Sequence, residues 1–169
     1  MVLLLNNQRA VWLPLRCIKR QIEMLLDCSG YTNWDVGVHF IDNHRMQEIN
    51  SQYRHKNRPT DILSFPFHQV QGLEPESALP KAEQRDGLGA DDERNLGDMF
   101  LSLPYILDDC KSHNEKLTDR LPVLFTHGIC HLLGYDHELD TDYRLMAEKE
   151  RHILNMFNQL VEKERRLPF

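Results

Sequence analysis

The apolar positions fall into alternating runs and helically spaced runs, and these divide the chain into short strands and longer helices. Val2 to Asn6 is a brief apolar run that reads as a strand. Pro14 sits at a favoured first helical position, and Leu15, Ile18, Ile22, Leu25 and Leu26 recur at helical spacing through Asp27. Trp34 to Ile41 alternates, with Val36, Val38 and Phe40 on one face, which predicts a strand. Met46, Ile49 and Tyr53 mark a helix capped by Asp42 or Asn43. Asp61 to Phe67 is the next strand. Pro66 lacks a backbone N–H, so that strand ends there or lies on a sheet edge. After a turn at Asn95-Leu96-Gly97-Asp98, Met99 to Leu103 reads as a further strand, and Pro104 opens a helix to about His113. Thr118 is the expected cap of a helix carrying Leu121, Leu124, Phe125 and Leu132, which stops at Gly134. Asp140 or Thr141 caps a last helix with Met146, Ile153, Phe157 and Leu160 on one face.

No internal repeat or change of composition splits the chain, so residues 1–169 read as one domain of α+β (α/β-like) layers. The stretch from Gln69 to Arg94 breaks the periodic pattern. It holds three glycines and two prolines, with seven acidic residues against three basic ones, and is expected to be a surface loop. A hydrophobic content of 41% with 27% charged residues excludes global disorder. No apolar run approaches the roughly 18 residues a membrane helix needs. The formal charge of −6 excludes a protein whose whole surface binds nucleic acid, so a polyanion would have to meet a local basic patch.

Cys17, Cys28, Cys110 and Cys130 form no C-x-x-C pair, which points to a reducing, intracellular setting rather than a secreted disulfide framework. The first 22 residues lack Asp and Glu but carry Arg9, Arg16, Lys19 and Arg20. That composition suits a mitochondrial presequence, and the same residues also read as an ordinary strand and amphipathic helix. The compartment therefore stays open among mitochondrion, cytoplasm and nucleus.

The densest chemistry lies in His127-Gly-Ile-Cys-His131-Leu-Leu-Gly-Tyr-Asp-His137. Residues four apart on a helix project about 40° apart around its axis, so His127 and His131 share a face. Gly134 ends the helix and lets the chain turn back, which can bring His137 to the same metal ion. Three protein nitrogens with one open position is the layout of a catalytic zinc site, with one Zn²⁺ per chain. Cys130 sits about 100° around the helix from His131, so a buried inert thiol is the better reading of it than a fourth ligand. Gly128 occupies the position where H-E-x-x-H peptidases keep their glutamate base, which counts against peptidase chemistry. A glycine within a helix costs about 1 kcal/mol relative to alanine, and room beside the metal is the simplest reason for it.

This block resembles the YbeY family of endoribonucleases, matching the pattern H-G-x-x-H-L-x-G-Y-D-H at each fixed position. Tyr53-Arg54 with Arg58-Pro59-Thr60-Asp61, then Ile62 to Phe67, and Leu96-Gly97-Asp98 match as well. The likeness runs from about Val36 to Phe157. The acidic loop from Gln69 to Arg94 departs by being longer than in compact bacterial members. The resemblance implies a small mixed β-sheet flanked by helices, as in a zinc hydrolase, and zinc on His127, His131 and His137. It further implies cleavage of single-stranded RNA in rRNA maturation and ribosome quality control, association with small-ribosomal-subunit components, and a functional arginine at Arg54.

The residues agree with that expectation. Arg54-His55-Lys56-Asn57-Arg58 is the densest basic cluster in an acidic chain. Arg54 and the zinc ligand His127 are the catalytic candidates, and Lys56 and Arg58 are candidate RNA contacts. Asp98 and Asp136 are expected either to orient a ligand histidine or to cap a turn. The group that moves the proton is not identified. A ribosome-assembly factor that binds RNA or a ribosomal protein, with zinc purely structural, is the alternative reading.

Overall fold

The computed structural model describes residues 1–69, 74–80 and 94–166. Their elements run β1 (Val2–Asn6), α1 (Leu15–Ser29), β2 (Asp35–Ile41), α2 (Asn43–Arg54), β3 (Ile62–Pro66), β4 (Asn95–Ser102), α3 (Leu103–Ser112), α4 (Leu117–Leu132) and α5 (Asp140–Arg166). The four strands form one mixed sheet in the order β1-β2-β4-β3. β1, β2 and β4 are parallel, and β3 runs antiparallel to β4 along the outer edge. The architecture is therefore α+β, and Pro66 lies on an edge strand, where its missing N–H costs no ladder bond. The acid-free opening stretch is built into the domain as β1 and α1, with Ile18, Ile22 and Leu25 buried. Among the described residues no helix is long and apolar enough to cross a membrane.

Strand alternation divides the core in two. Val36, Val38, Phe40, Ile62, Met99 and Leu101 face a large cluster with buried side chains of α1, α4 and α5. Ile41 and Leu63 face the other way, where Met46 and Ile49 of α2 cover them and Phe65 and Phe100 pack alongside. α4 and α2 thus lie on opposite faces of the sheet.

Four expectations need correction. Asn95 to Asp98 is not a turn before β4 but part of it: Gly97 has φ +119° and its N–H donates to Asn95 Oδ1 at 2.9 Å. The pairing with β2 skips a residue there, so turn chemistry makes an irregularity inside a strand instead of ending it. Thr118 lies inside α4, whose N-cap is Lys116. Pro14 is the residue before the first helical one of α1. Leu160 is exposed, and Val161 beside it is the residue of that turn of α5 that packs against the core.

The acidic loop is also not simply a surface feature. Its described part, residues 74–80, buries Leu79 to 5% exposure and docks on the end of α4 through Glu76 N–H to Leu133 O at 2.8 Å. The remainder of that expectation, residues 70–73 and 81–93, lies outside the described residues.

Candidate metal centre

α4 presents His127 and His131 on one face, and its C-terminus is closed by two backbone bonds. Gly134 N–H donates to His131 O and Tyr135 N–H to Cys130 O, each at 3.0 Å. Gly134 has φ +96°, a conformation glycine adopts without the steric cost of a Cβ. The chain reverses there and carries His137 back, so ligand atoms of all three imidazoles lie within 4.8 Å of one another. The rings of His127 and His137 stack at 5.6 Å between centroids, and His131 stands edge-on to both.

The outer nitrogens of two rings are engaged. His127 Nδ1 is 2.6 Å from Glu150 Oε1, and His131 Nδ1 is 3.0 Å from the Tyr135 carbonyl. A carboxylate and a carbonyl only accept, so both Nδ1 atoms carry the proton. The two Nε2 lone pairs then face each other 3.1 Å apart. Such an arrangement is repulsive unless a cation lies between them. Tetrahedral coordination with bonds of about 2.0–2.1 Å separates its donors by roughly 3.3 Å, so this pair fits a metal ion. Burial, followed by the neighbouring His127 and His137, lowers the His131 pKa to about 4 and keeps it in the neutral, ligating form at pH 7.

Gly128 serves packing rather than the metal. A Cβ there would lie 2.3 Å from Met99 Sδ and 2.9 Å from Ile62 Cδ1, so the glycine lets α4 press onto the sheet. Cys130 is fully buried in the core, and desolvation pushes its thiol up to about 12, which suits an inert side chain.

Asp98 is not a partner of the ligand histidines. It points to the α2 side of the sheet and meets His39 Nε2 at 2.9 Å, while His39 stacks on Phe100 at 4.3 Å. Strand alternation explains the correction, since Met99 and not Asp98 faces α4. Asp136 accepts from the backbone N–H of His137 at 2.7 Å and lies 3.8 Å from His137 Nδ1, so it holds the returning turn.

Arg54, Lys56 and Arg58 are exposed at the end of α2 and in the loop after it. The loop is fixed by α2 itself. Buried Asn50 accepts from Lys56 N–H at its carbonyl and donates Nδ2 to Arg58 O at 2.7 Å, while Gln47 Nε2 reaches Asn57 Oδ1 at 2.9 Å. The basic loop runs from the end of α2 into β3, the edge strand against which α4 packs. Asp61, where the loop meets β3, lines a cavity of about 680 Å³ together with His127, Glu150, Lys116 and Arg120.

Glu150 is the residue that motif reading missed. It follows His127 by 23 positions and comes from another helix. The only trace of it in the sequence is its place on α5 between Met146 and Ile153, both of which face the core.

A profile of the family described as Endoribonuclease YbeY matches residues 6–158. An Endoribonuclease YbeY of Homo sapiens is 38% identical over 152 residues, covering 89% of this chain and 84% of that protein. One of Clostridioides difficile strain 630 is 36% identical over 144 residues, covering 83% and 84%. Among solved structures, a Thermotoga maritima protein determined in solution matches with a TM-score of 0.59 at 20% identity, over 96% of this chain and 93% of that one.

Proposed function

Because the chain belongs to the Endoribonuclease YbeY family of hydrolytic nucleases, we propose that it is a zinc-dependent, single-strand-specific endoribonuclease of small-subunit rRNA maturation and ribosome quality control. The observation that carries the metal is the pair of inward-facing Nε2 atoms 3.1 Å apart, each fixed by an acceptor at its Nδ1. His127, His131 and His137 would hold the ion. An all-imidazole set without thiolates suits Zn²⁺, and three ligands leave a position for water or a phosphate oxygen. When bound, zinc supplies a Lewis acid and an acidified water. Arg54 offers a planar fork to phosphate oxygens and the negative charge that grows on them, and Lys56 and Arg58 draw the backbone of the RNA to the same loop. Components of the small ribosomal subunit are the expected partners, and the place of action is intracellular. Gly128 stands where a zinc peptidase would carry its base, so peptide hydrolysis has no support.

The test combines zinc content with cleavage of single-stranded and duplex RNA by the wild type and His131→Ala. The variant should lose zinc and cleavage but keep RNA affinity, and the duplex should resist the wild type. If His131→Ala cleaves normally, the catalytic reading fails, and a binding factor with a structural metal is the better description.

A further inference from the structure

Glu150 lies outside the histidine motif and outside the basic loop, yet its carboxylate makes the shortest contact at the site, 2.6 Å from His127 Nδ1. We propose that Glu150 is the positioning residue of the metal centre, fixing the tautomer and ring orientation of His127 and strengthening that imidazole as a ligand. This rests on the metal reading above.

Three observations carry it. The first is that the carboxylate is held for this one task. Met146, four residues before it, and Ile153, three residues after it, are buried at 2% and 0% exposure, so this face of α5 is anchored in the core. The second is that, among the described residues, the ion pair Glu150 makes is the one with His127, and two nearby cations are engaged elsewhere. Lys149 pairs with Glu76 at 2.6 Å and donates to Ser29 O at 3.3 Å. Arg120, which lines the same cavity, is held by Asp109 at 2.6 Å and Glu115 at 2.7 Å. The negative charge of Glu150 is therefore directed at the His127 ring, and through it at a cation on the far nitrogen.

The third is a gradation among the ligands. His127 has a carboxylate at 2.6 Å, and His131 has a neutral carbonyl at 3.0 Å. His137 is exposed and has only Asp136 Oδ1, at 3.8 Å from its Nδ1. The two helical ligands are thus oriented before any ion arrives, with Glu150 providing the charged anchor.

Loss of such an outer partner typically weakens metal binding by about 10–100-fold. The cavity beside Glu150 admits water, which can replace part of the lost acceptor and places the expected effect toward the lower end of that range.

The experiment uses the full chain as wild type, Glu150→Gln, Glu150→Ala and the charge control Glu148→Gln, which alters an exposed residue of the same helix. Zinc affinity is measured by competition with a chromophoric chelator, and the His127 tautomer by imidazole nitrogen shifts in the metal-free protein. Glu150→Ala should bind zinc about 10-fold or more weakly and let His127 populate the Nε2–H tautomer. Glu150→Gln keeps an acceptor but loses the charge, so it should retain the tautomer and show a smaller loss of affinity. Glu148→Gln should match the wild type. If zinc affinity is unchanged in both Glu150 variants and the tautomer is unmoved, the proposal is overturned. Should Glu150→Ala fail to fold, Glu150→Gln decides alone, and wild-type affinity in it overturns the proposal. A wild type that binds no zinc is a different failure, which removes the metal reading itself.

Discussion

Arg54 and Lys56 stand two positions apart on one exposed loop, but a guanidinium and an ammonium act differently on a phosphate. Cations that hold a phosphate in the ground state contribute to affinity and its salt dependence. A fork aimed at charge that appears only in the transition state contributes to turnover instead. Arg54→Lys should therefore keep most RNA affinity while lowering the single-turnover rate by about 10-fold or more. Single-turnover cleavage and equilibrium binding on the same RNA check this; weaker binding with an unchanged saturated rate would make Arg54 a docking residue. Gly128 poses a second question at this scale. Alanine there gains about 1 kcal/mol of helix propensity but overpacks against Met99 and Ile62, which costs about 1–3 kcal/mol. Gly128→Ala should lose about 1 kcal/mol net in urea unfolding of the chelated protein and keep its zinc. A variant that loses zinc at unchanged stability would restore the idea that the glycine makes room for the metal.

At the scale of elements, the segment 74–80 is the part whose role changed most. Leu79 is an isolated apolar residue in a polar stretch, so no periodicity marks it, yet it is 5% exposed against the main core. Glu76 beside it accepts from Tyr135 Oη at 3.3 Å and pairs with Lys149, tying the segment to the turn that carries the ligands. Leu79→Ala should cost about 2 kcal/mol in chemical denaturation, the low end for a buried leucine. A change within 0.5 kcal/mol, the range of ordinary surface substitutions, would show that the segment is peripheral. The same contrast explains what the sequence could and could not disclose. β2 and α2 were legible because their apolar residues keep a period, β1 and β3 because each is a short apolar run, and Asp42 and Pro66 mark the start of α2 and the end of β3. The histidine centre was legible because His127, His131, Gly134 and His137 are close in the chain and follow helix geometry. Glu150 and Leu79 were not, since each meets its partners through tertiary packing that leaves no local pattern. At Gly97 the residue types signal a turn, but the chain continues there as β4 with a register irregularity in its pairing to β2.

The whole molecule sets an electrostatic problem that the basic loop must solve. A net charge of −6 disfavours RNA overall, and Arg54, Lys56 and Arg58 form the densest basic cluster of the chain. At 0.15 M salt the Debye length is about 8 Å, so RNA on that loop is largely screened from more distant acidic residues. At 0.01 M it reaches about 30 Å, and the acidic remainder of the surface is felt. For single strands, log Kobs falls with log salt at a slope of about −0.7 per phosphate neutralised. With two or three contacts from this loop, the slope near physiological salt should be about −1.4 to −2.1, and it should flatten as salt is lowered. Lys56→Ala should reduce its magnitude by about 0.7, with a smaller effect on the rate of bound RNA than Arg54→Lys has. Titrations from low to moderate salt on one single-stranded RNA decide the matter. A slope steeper than about −4 would require more phosphate contacts than this loop can make, and would place RNA on a second basic surface.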